Sequence, residues 1–172
     1  MNDRSVTNEF IEGKILELEK AAQKARALKG RGKKLVTING SFEILHAGHI
    51  FILSEAKKQG DCLFVGVNSD RSIKEGKGES RPVLSEKERV ALVASLVYVD
   101  YALIVDAPYN KVQDVLIETV VPDVHVNGAE YGQPQEWVEW PVMEKLGVRG
   151  CGVSRQAGHS TTDVISKILS NK

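Results

Sequence analysis

Apolar and polar positions alternate along the chain in two different periods, and the switches between them mark the elements. Phe10, Ile11, Ile15, Leu18, Ala22 and Ala25 recur at helical spacing over the first 32 residues. This stripe predicts one helix, ended by Gly30 and Gly32 and followed by the basic cluster Arg31, Lys33 and Lys34. From there short apolar runs alternate with helical patterns. Strands are expected at Leu35–Ile38, Cys62–Asn68, Ala102–Val105, Val124–Asn127 and Val148–Val153. Helices are expected at His46–Gln59 with Gly60 as its stop, from Ser85 to Leu96, Lys111–Val120, Glu136–Leu146, and from Ser160 onward. Ser85-Glu86-Lys87-Glu88 has the S-x-x-E form of a capping box. The polar, Gly- and Lys-rich stretch from Ser72 to Leu84 reads as a loop.

Strands alternating with helices predict an α/β fold: a Rossmann-like, doubly wound, five-stranded parallel sheet with helices on both faces. Residues 1–32 read as a helical extension and residues 33–172 as one domain. Ligands of such sheets bind beyond the carboxyl ends of the strands, where the strand order reverses. The chemically distinctive residues fall at those ends. His46 and His49 follow the first strand, Asp70 the second, Asn127 and Gly128 the fourth, and Arg155 with Ser160, Thr161 and Thr162 the fifth.

His46-Ala47-Gly48-His49 carries the most information. Two imidazoles three residues apart at a helix start share one face, beside free N–H groups and the positive end of the helix dipole. Gly48 lets phosphate oxygens reach the backbone. The pattern suits a polyphosphate. A surface histidine pair and a zinc site completed by His125 and His159 are the alternatives, the latter without a recognised metal spacing. Lys74, Lys77 and Arg81, interleaved with Gly76 and Gly78, form a cationic segment able to fold over phosphates, or a solvated loop. Arg89 sits in the first turn of a helix, where its charge opposes the dipole, a hint that it serves an anion. Ser160, Thr161 and Thr162 place three hydroxyls at a helix start, with Arg155 as a bidentate phosphate donor. Asn127-Gly128-Ala129-Glu130-Tyr131 reads as a tight turn or as a base- or sugar-recognising segment. Trp137 and Trp140 read as packing or dimer residues, with a base-stacking platform as the alternative.

Charge and composition narrow the classes. Lysine plus arginine equal aspartate plus glutamate at 23 each, and this zero net charge argues against a duplex-binding protein. The two cysteines, Cys62 and Cys151, lie in apolar strand contexts and read as buried free thiols. No apolar run is long enough to span a bilayer, so the expected location is cytoplasmic, with no membrane partner.

Taken in order, Asn39-Gly40-Ser41-Phe42-Glu43-Ile44-Leu45-His46-Ala47-Gly48-His49, Asn68-Ser69-Asp70, Lys77-Gly78-Glu79-Ser80-Arg81-Pro82-Val83, Glu88-Arg89 and Ser160-Thr161-Thr162 resemble the cytidylyltransferase-like nucleotidyltransferase superfamily. The resemblance covers residues 33 to 170 and is strongest to the D-glycero-β-D-manno-heptose 1-phosphate adenylyltransferases. It implies transfer of AMP from ATP to a sugar 1-phosphate, with Mg²⁺ bridging phosphates and no direct protein ligand for the metal. It implies that His46, His49 and Lys77 are catalytic. Asn39, Gly40, Ser41, Phe42, Gly48, Asn127, Gly128, Glu130, Ser160, Thr161 and Thr162 would join the histidines in binding nucleotide. Asp70, Arg81, Arg89 and Arg155 would join Lys77 in binding the acceptor. A homodimer and a separate sugar kinase supplying the acceptor are implied as well. Glu43 replaces the usual Asp, Asn127 a usual Lys, and Glu130 a usual Asp. Residues 155–162 resemble the glycerol-3-phosphate cytidylyltransferase motif instead, which makes a CTP-dependent enzyme the rival reading. A nucleotide-binding module without turnover is the second rival.

Overall fold

The computed structural model describes residues 9–154 and 161–170. Among them, five strands form one parallel sheet in the order β3-β2-β1-β4-β5: β1 Leu35–Gly40, β2 Cys62–Asn68, β3 Tyr101–Val105, β4 Val124–Gly128 and β5 Arg149–Val153. The chain winds outward from β1 through β2 to β3, then returns to the other side of β1 for β4 and β5. The order therefore reverses between β1 and β4, and the crevice opens there.

The two faces are separate apolar layers. One packs Val36, Ile38, Val65 and Val67 against Leu53 and Ala56 of α3 (Ala47–Lys57) and Val90, Val93 and Ala94 of α5 (Glu86–Ala94). The other packs Leu35, Phe64, Leu103 and Val105 against α2 (Leu18–Lys29) and α6 (Val112–Val120). Strict alternation along β1 and β2 sends successive side chains to opposite layers. A third cluster joins Ile117 of α6 to Trp137, to Met143 of α7 (Trp140–Leu146) and to Val148. Trp137 is buried and donates its indole N–H to the Gly132 carbonyl at 3.2 Å, so it is a packing residue as its sequence context suggested.

Three expectations change. The N-terminal stripe is not one helix. A short α1 (Glu9–Glu12) packs by α5, α2 packs on the opposite face, and residues between them run along the edge of β3. There Ile15 bridges Ala102, with Leu16 N–H donating to the Ala102 carbonyl and Ala102 N–H to the Lys14 carbonyl, both at 2.9 Å. A single rod cannot serve both faces of a sheet, and the break also covers an edge strand. The Gly- and Lys-rich stretch is half helical: α4 runs Asp70–Lys77. Ser69 caps it by accepting from Ser72 N–H, and buried Ile73 anchors it. Finally, Gly60 does not end α3 in a left-handed turn. A Cβ there would lie 2.7 Å from the Lys34 carbonyl oxygen, so glycine permits two backbones to touch. The Ser85 capping box forms in full. The last helix, α8, spans Thr161–Ser170.

Candidate active site

A cleft of about 720 Å³ opens over the crevice between β1 and β4. Asn39, Gly40, Ser41, Phe42, His46, Gly48 and His49 line its floor from β1 to the start of α3. His46 is the N-cap of α3 with extended backbone, one position earlier than a first-turn residue, and His49 N–H donates to its carbonyl at 2.9 Å. The two imidazoles stack with centroids 3.8 Å apart, and the Phe42 ring lies 5.2 Å from His49. Phe42 holds a left-handed backbone (φ 47°), a conformation uncommon for a bulky residue and typical of loops shaped for a ligand. Helix geometry leaves the Ala47 and Gly48 N–H groups at the start of α3 without intrahelical acceptors, and Gly48 lines the cleft.

Lys77 and Arg81 enter the cleft from the end of α4 and the segment after it. Both are held by Glu43, whose carboxylate is 1% exposed. Lys77 Nζ donates to Glu43 Oε1 at 2.8 Å, and Arg81 Nε donates to Oε2. Burial pushes the Glu43 carboxyl up, but the hydrogen bonds and charges of Arg81 and Lys77 outweigh it and leave the group below its ordinary range. In the sequence Glu43 is only a departure from a family pattern; its place as the clamp of two cations was not legible there.

The β4 side supplies Asn127, Gly128, Glu130, Tyr131 and Glu139 to the cleft, and α8 supplies Thr161. Asn127 donates from Nδ2 to Glu139 Oε1 at 2.9 Å and accepts Gly128 N–H at 2.9 Å, which fixes its carboxamide. Burial raises the Glu139 carboxyl, and hydrogen bonding and charge from His125, with help from Asn127, bring it below the ordinary glutamate range. His125 is buried, hydrogen-bonded through Nδ1 to Thr37 Oγ1 at 2.8 Å, and does not line the cleft. No group of three or more His, Cys, Asp or Glu among the described residues is arranged to hold a metal ion.

Two expected acceptor ligands lie elsewhere. Arg89 is fully buried, and its guanidinium donates to the Leu84 carbonyl, the Ser41 carbonyl and Asp70 Oδ1 at 3.0, 2.6 and 2.7 Å. It ties α5 to the loop before the histidines and to α4, and no face of it is open to a ligand. Asp70 is the partner in that tie and does not line the cleft. The charge that opposes its own helix dipole is explained by these three oxygens rather than by a substrate anion. Arg155, His159, Ser160 and the side chain of Thr162 lie outside the described residues. The cleft also has a wall not anticipated from sequence, formed by Asn68, Tyr109, Asn110 and Gln113.

Residues 37–167 match the family model described as cytidylyltransferase-like. The chain belongs to the cytidylyltransferase-like family. Its relatives include the bifunctional protein HldE of Geobacter metallireducens, 42% identical over 160 residues, covering 92% of this chain and 31% of that protein. HldE of Campylobacter fetus is 42% identical over 161 residues, covering 92% of this chain and 32% of the relative. This family member thus spans about a third of the curated relatives it matches. Among solved structures, a lipopolysaccharide core biosynthesis protein from Thermoplasma volcanium superposes with a TM-score of 0.58 at 32% identity, over 73% of this chain and 98% of that one. Pantoate-β-alanine ligase from Francisella tularensis shares the fold, with a TM-score of 0.60 at 14% identity over 92% of this chain and 78% of that one. No helix of the described residues is long and apolar enough to cross a membrane.

Proposed function

We propose that the chain is a nucleotidyltransferase that moves AMP from ATP to a sugar 1-phosphate, with D-glycero-β-D-manno-heptose 1-phosphate as the preferred acceptor. The observation that carries this is the convergence of the stacked His46–His49 pair, the open start of α3 and the Lys77–Arg81 pair on one cleft at the β1/β4 reversal. The 42% identity to HldE supports the choice of chemistry and acceptor.

In the proposed reaction an oxygen of the acceptor phosphate forms a bond to the α-phosphorus of ATP, and the bond to pyrophosphate breaks in line. The acceptor is already an anion at neutral pH, so no strong base is required. Alignment of two anions and neutralisation of growing charge do the work. His46 and His49 donate to the α-phosphate and the bridging oxygen. Lys77, with Arg81, bridges acceptor and α-phosphate. Thr161, with Ser160, Thr162 and Arg155, receives the outer phosphates, while Asn127, Gly128 and Glu130 face the base and ribose.

Magnesium would neutralise charge between phosphate oxygens. Of the buried acids lining the cleft, Glu43 is committed to Lys77 and Arg81 and Glu139 to Asn127, so the ion would be held by the nucleotide that the histidines and Lys77 position. A homodimer, a separate kinase supplying the acceptor and a cytoplasmic setting belong to the same proposal, as does the division into residues 1–32 and 33–172.

The test is pyrophosphate release across ATP and CTP, each with heptose 1-phosphate and glycerol 3-phosphate. Release with ATP and the heptose phosphate is expected. Release with CTP and glycerol 3-phosphate alone would transfer the assignment to the cytidylyl reading. Tight nucleotide binding without release under any pairing would make the chain a binding module.

A further inference from the structure

The cleft extends past the residues assigned above to nucleotide and phosphate. Beyond Lys77, away from β4, it continues over the carboxyl end of β2 to the start of α6. The wall there is made of Asn68, the last residue of β2, with Tyr109, Asn110 and Gln113. None of these groups carries formal charge. Asn68 decides the matter: it is 4% exposed, it lines the cleft, and its Oδ1 is buried without a hydrogen-bond partner. A buried carbonyl oxygen left unpaired is costly, and it calls for a donor. Phosphate at neutral pH cannot be that donor, because its oxygens mainly accept; a hydroxyl can.

The neighbours fit the same chemistry. Tyr109 is seated by Gly76 of α4: a Cβ on Gly76 would lie 2.2 Å from the tyrosine ring, so the ring occupies the space glycine leaves and cannot swing that way. Gln113 lies in the first turn of α6 and lines the cleft; its Nε2 donates to the Asn110 carbonyl at 3.0 Å, which fixes the carboxamide. An orphan acceptor, an aromatic ring and neutral amides beside one lysine make a wall for a polyhydroxylated ring bearing a phosphate.

We infer that Asn68, Tyr109 and Gln113 form the sugar subsite for the acceptor, with Asn68 Oδ1 accepting from a ring hydroxyl and Lys77 taking the phosphate. This rests on the nucleotidyl-transfer reading and adds direction to it. The base lies toward β4, the acceptor enters from the β2 side, and its phosphate meets the α-phosphorus between the histidines and Lys77. Asn68 and Gln113 are specificity residues here: they discriminate a sugar phosphate from a plain alcohol phosphate.

The experiment is steady-state kinetics of Asn68→Leu and Gln113→Ala with ATP and heptose 1-phosphate, and with a deoxy analogue of that sugar phosphate. A lost neutral hydrogen bond corresponds to about tenfold. Acceptor KM should rise about tenfold in each variant, with ATP KM changed less than twofold. The deoxy analogue should be poor for the parent protein yet no worse for one of the two variants, the signature of a shared contact. Gln113 is partly exposed, so its variant folds even where Asn68→Leu does not. Unchanged acceptor KM in Gln113→Ala together with unchanged or unfolded Asn68→Leu would overturn the subsite. A rise in ATP KM in place of acceptor KM would assign this wall to the nucleotide and overturn it too. Absence of transfer to any sugar phosphate by the parent protein would remove the parent reading and the subsite together. Normal parent transfer with indifferent variants removes the subsite alone.

Discussion

Replacing Glu43 by Gln removes one charge from the middle of the cleft and changes no volume. Glutamate offers two carboxylate oxygens, one to Lys77 and one to Arg81. Glutamine offers one carbonyl oxygen and turns an amide N–H2 toward the other cation. Breaking a fully buried ion pair costs about 3–5 kcal/mol. Here the carboxylate is 1% exposed, but the side chains of Lys77 and Arg81 are 36% and 24% exposed and regain water. Solvent screening lowers the expected loss to about 1–2 kcal/mol. At this chain length that corresponds to a melting midpoint lower by about 3–6 °C.

The kinetic consequence follows from the same geometry. Deleting one preorganised donor reduces turnover by about 10²–10³. Glu43→Gln loosens Lys77 and Arg81 without deleting them, so kcat should fall by about tenfold. ATP KM should stay level or fall, because the cleft becomes more positive. Scanning calorimetry and pyrophosphate release at saturating substrates measure the two effects. A variant with the parent's melting midpoint and the parent's kcat would refute the idea that Glu43 sets the two cations in place.

Other consequences are independent of that one. Arg89→Lys keeps a charge but cannot reach the Leu84 and Ser41 carbonyls and Asp70 together; a loss of about 3 kcal/mol or more is expected in urea unfolding, and a loss below 1 kcal/mol would contradict its structural assignment. Glu43 and Glu139 both have carboxyl groups held below their ordinary values in the folded chain, so the unfolded chain binds protons first as pH falls. Their stabilisation is complete above the ordinary glutamate range and disappears as pH drops through the lowered folded values; the urea midpoint should fall steeply below about pH 4.5, less steeply in Glu43→Gln, and a flat profile would contradict both assignments. Burial pushes the Cys62 thiol up to about 12, with Asp100 adding to the rise, so a thiol reagent at pH 8 should modify the partly exposed Cys151 first and Cys62 only on unfolding.

Much of the fold was written in local pattern. The sheet was legible because apolar runs of four to seven residues alternated with helical stripes, and the Ser85 box announced α5 in its own side chains. Failures came where a distant surface decided. α4 was hidden because Lys, Glu and Gly dominate its exposed face, while the cap at Ser69 and the single anchor Ile73 carry its stability. The break at residues 13–17 depends on β3, an element more than eighty residues away in sequence. In the site, motif residues adjacent in sequence were readable, as His46, Gly48 and His49 were. Arg89 misled because its local position opposes the helix dipole, whereas the three oxygens that hold it come from separate segments. Asn68 sits in the Asn68-Ser69-Asp70 motif but was given no role there, and Gln113 carries no motif; only the proximity of β2 and α6 brings both to a shared cavity.

The most direct measurement follows the label of [α-³²P]ATP in the presence of heptose 1-phosphate, for the parent protein and for His49→Ala. The account predicts label in a nucleotide sugar, one pyrophosphate released per label transferred, and a rate lower by about 10²–10³ in the variant at an unchanged fold. Label that stays in free nucleotide under every acceptor, or equal rates in both proteins, would contradict it.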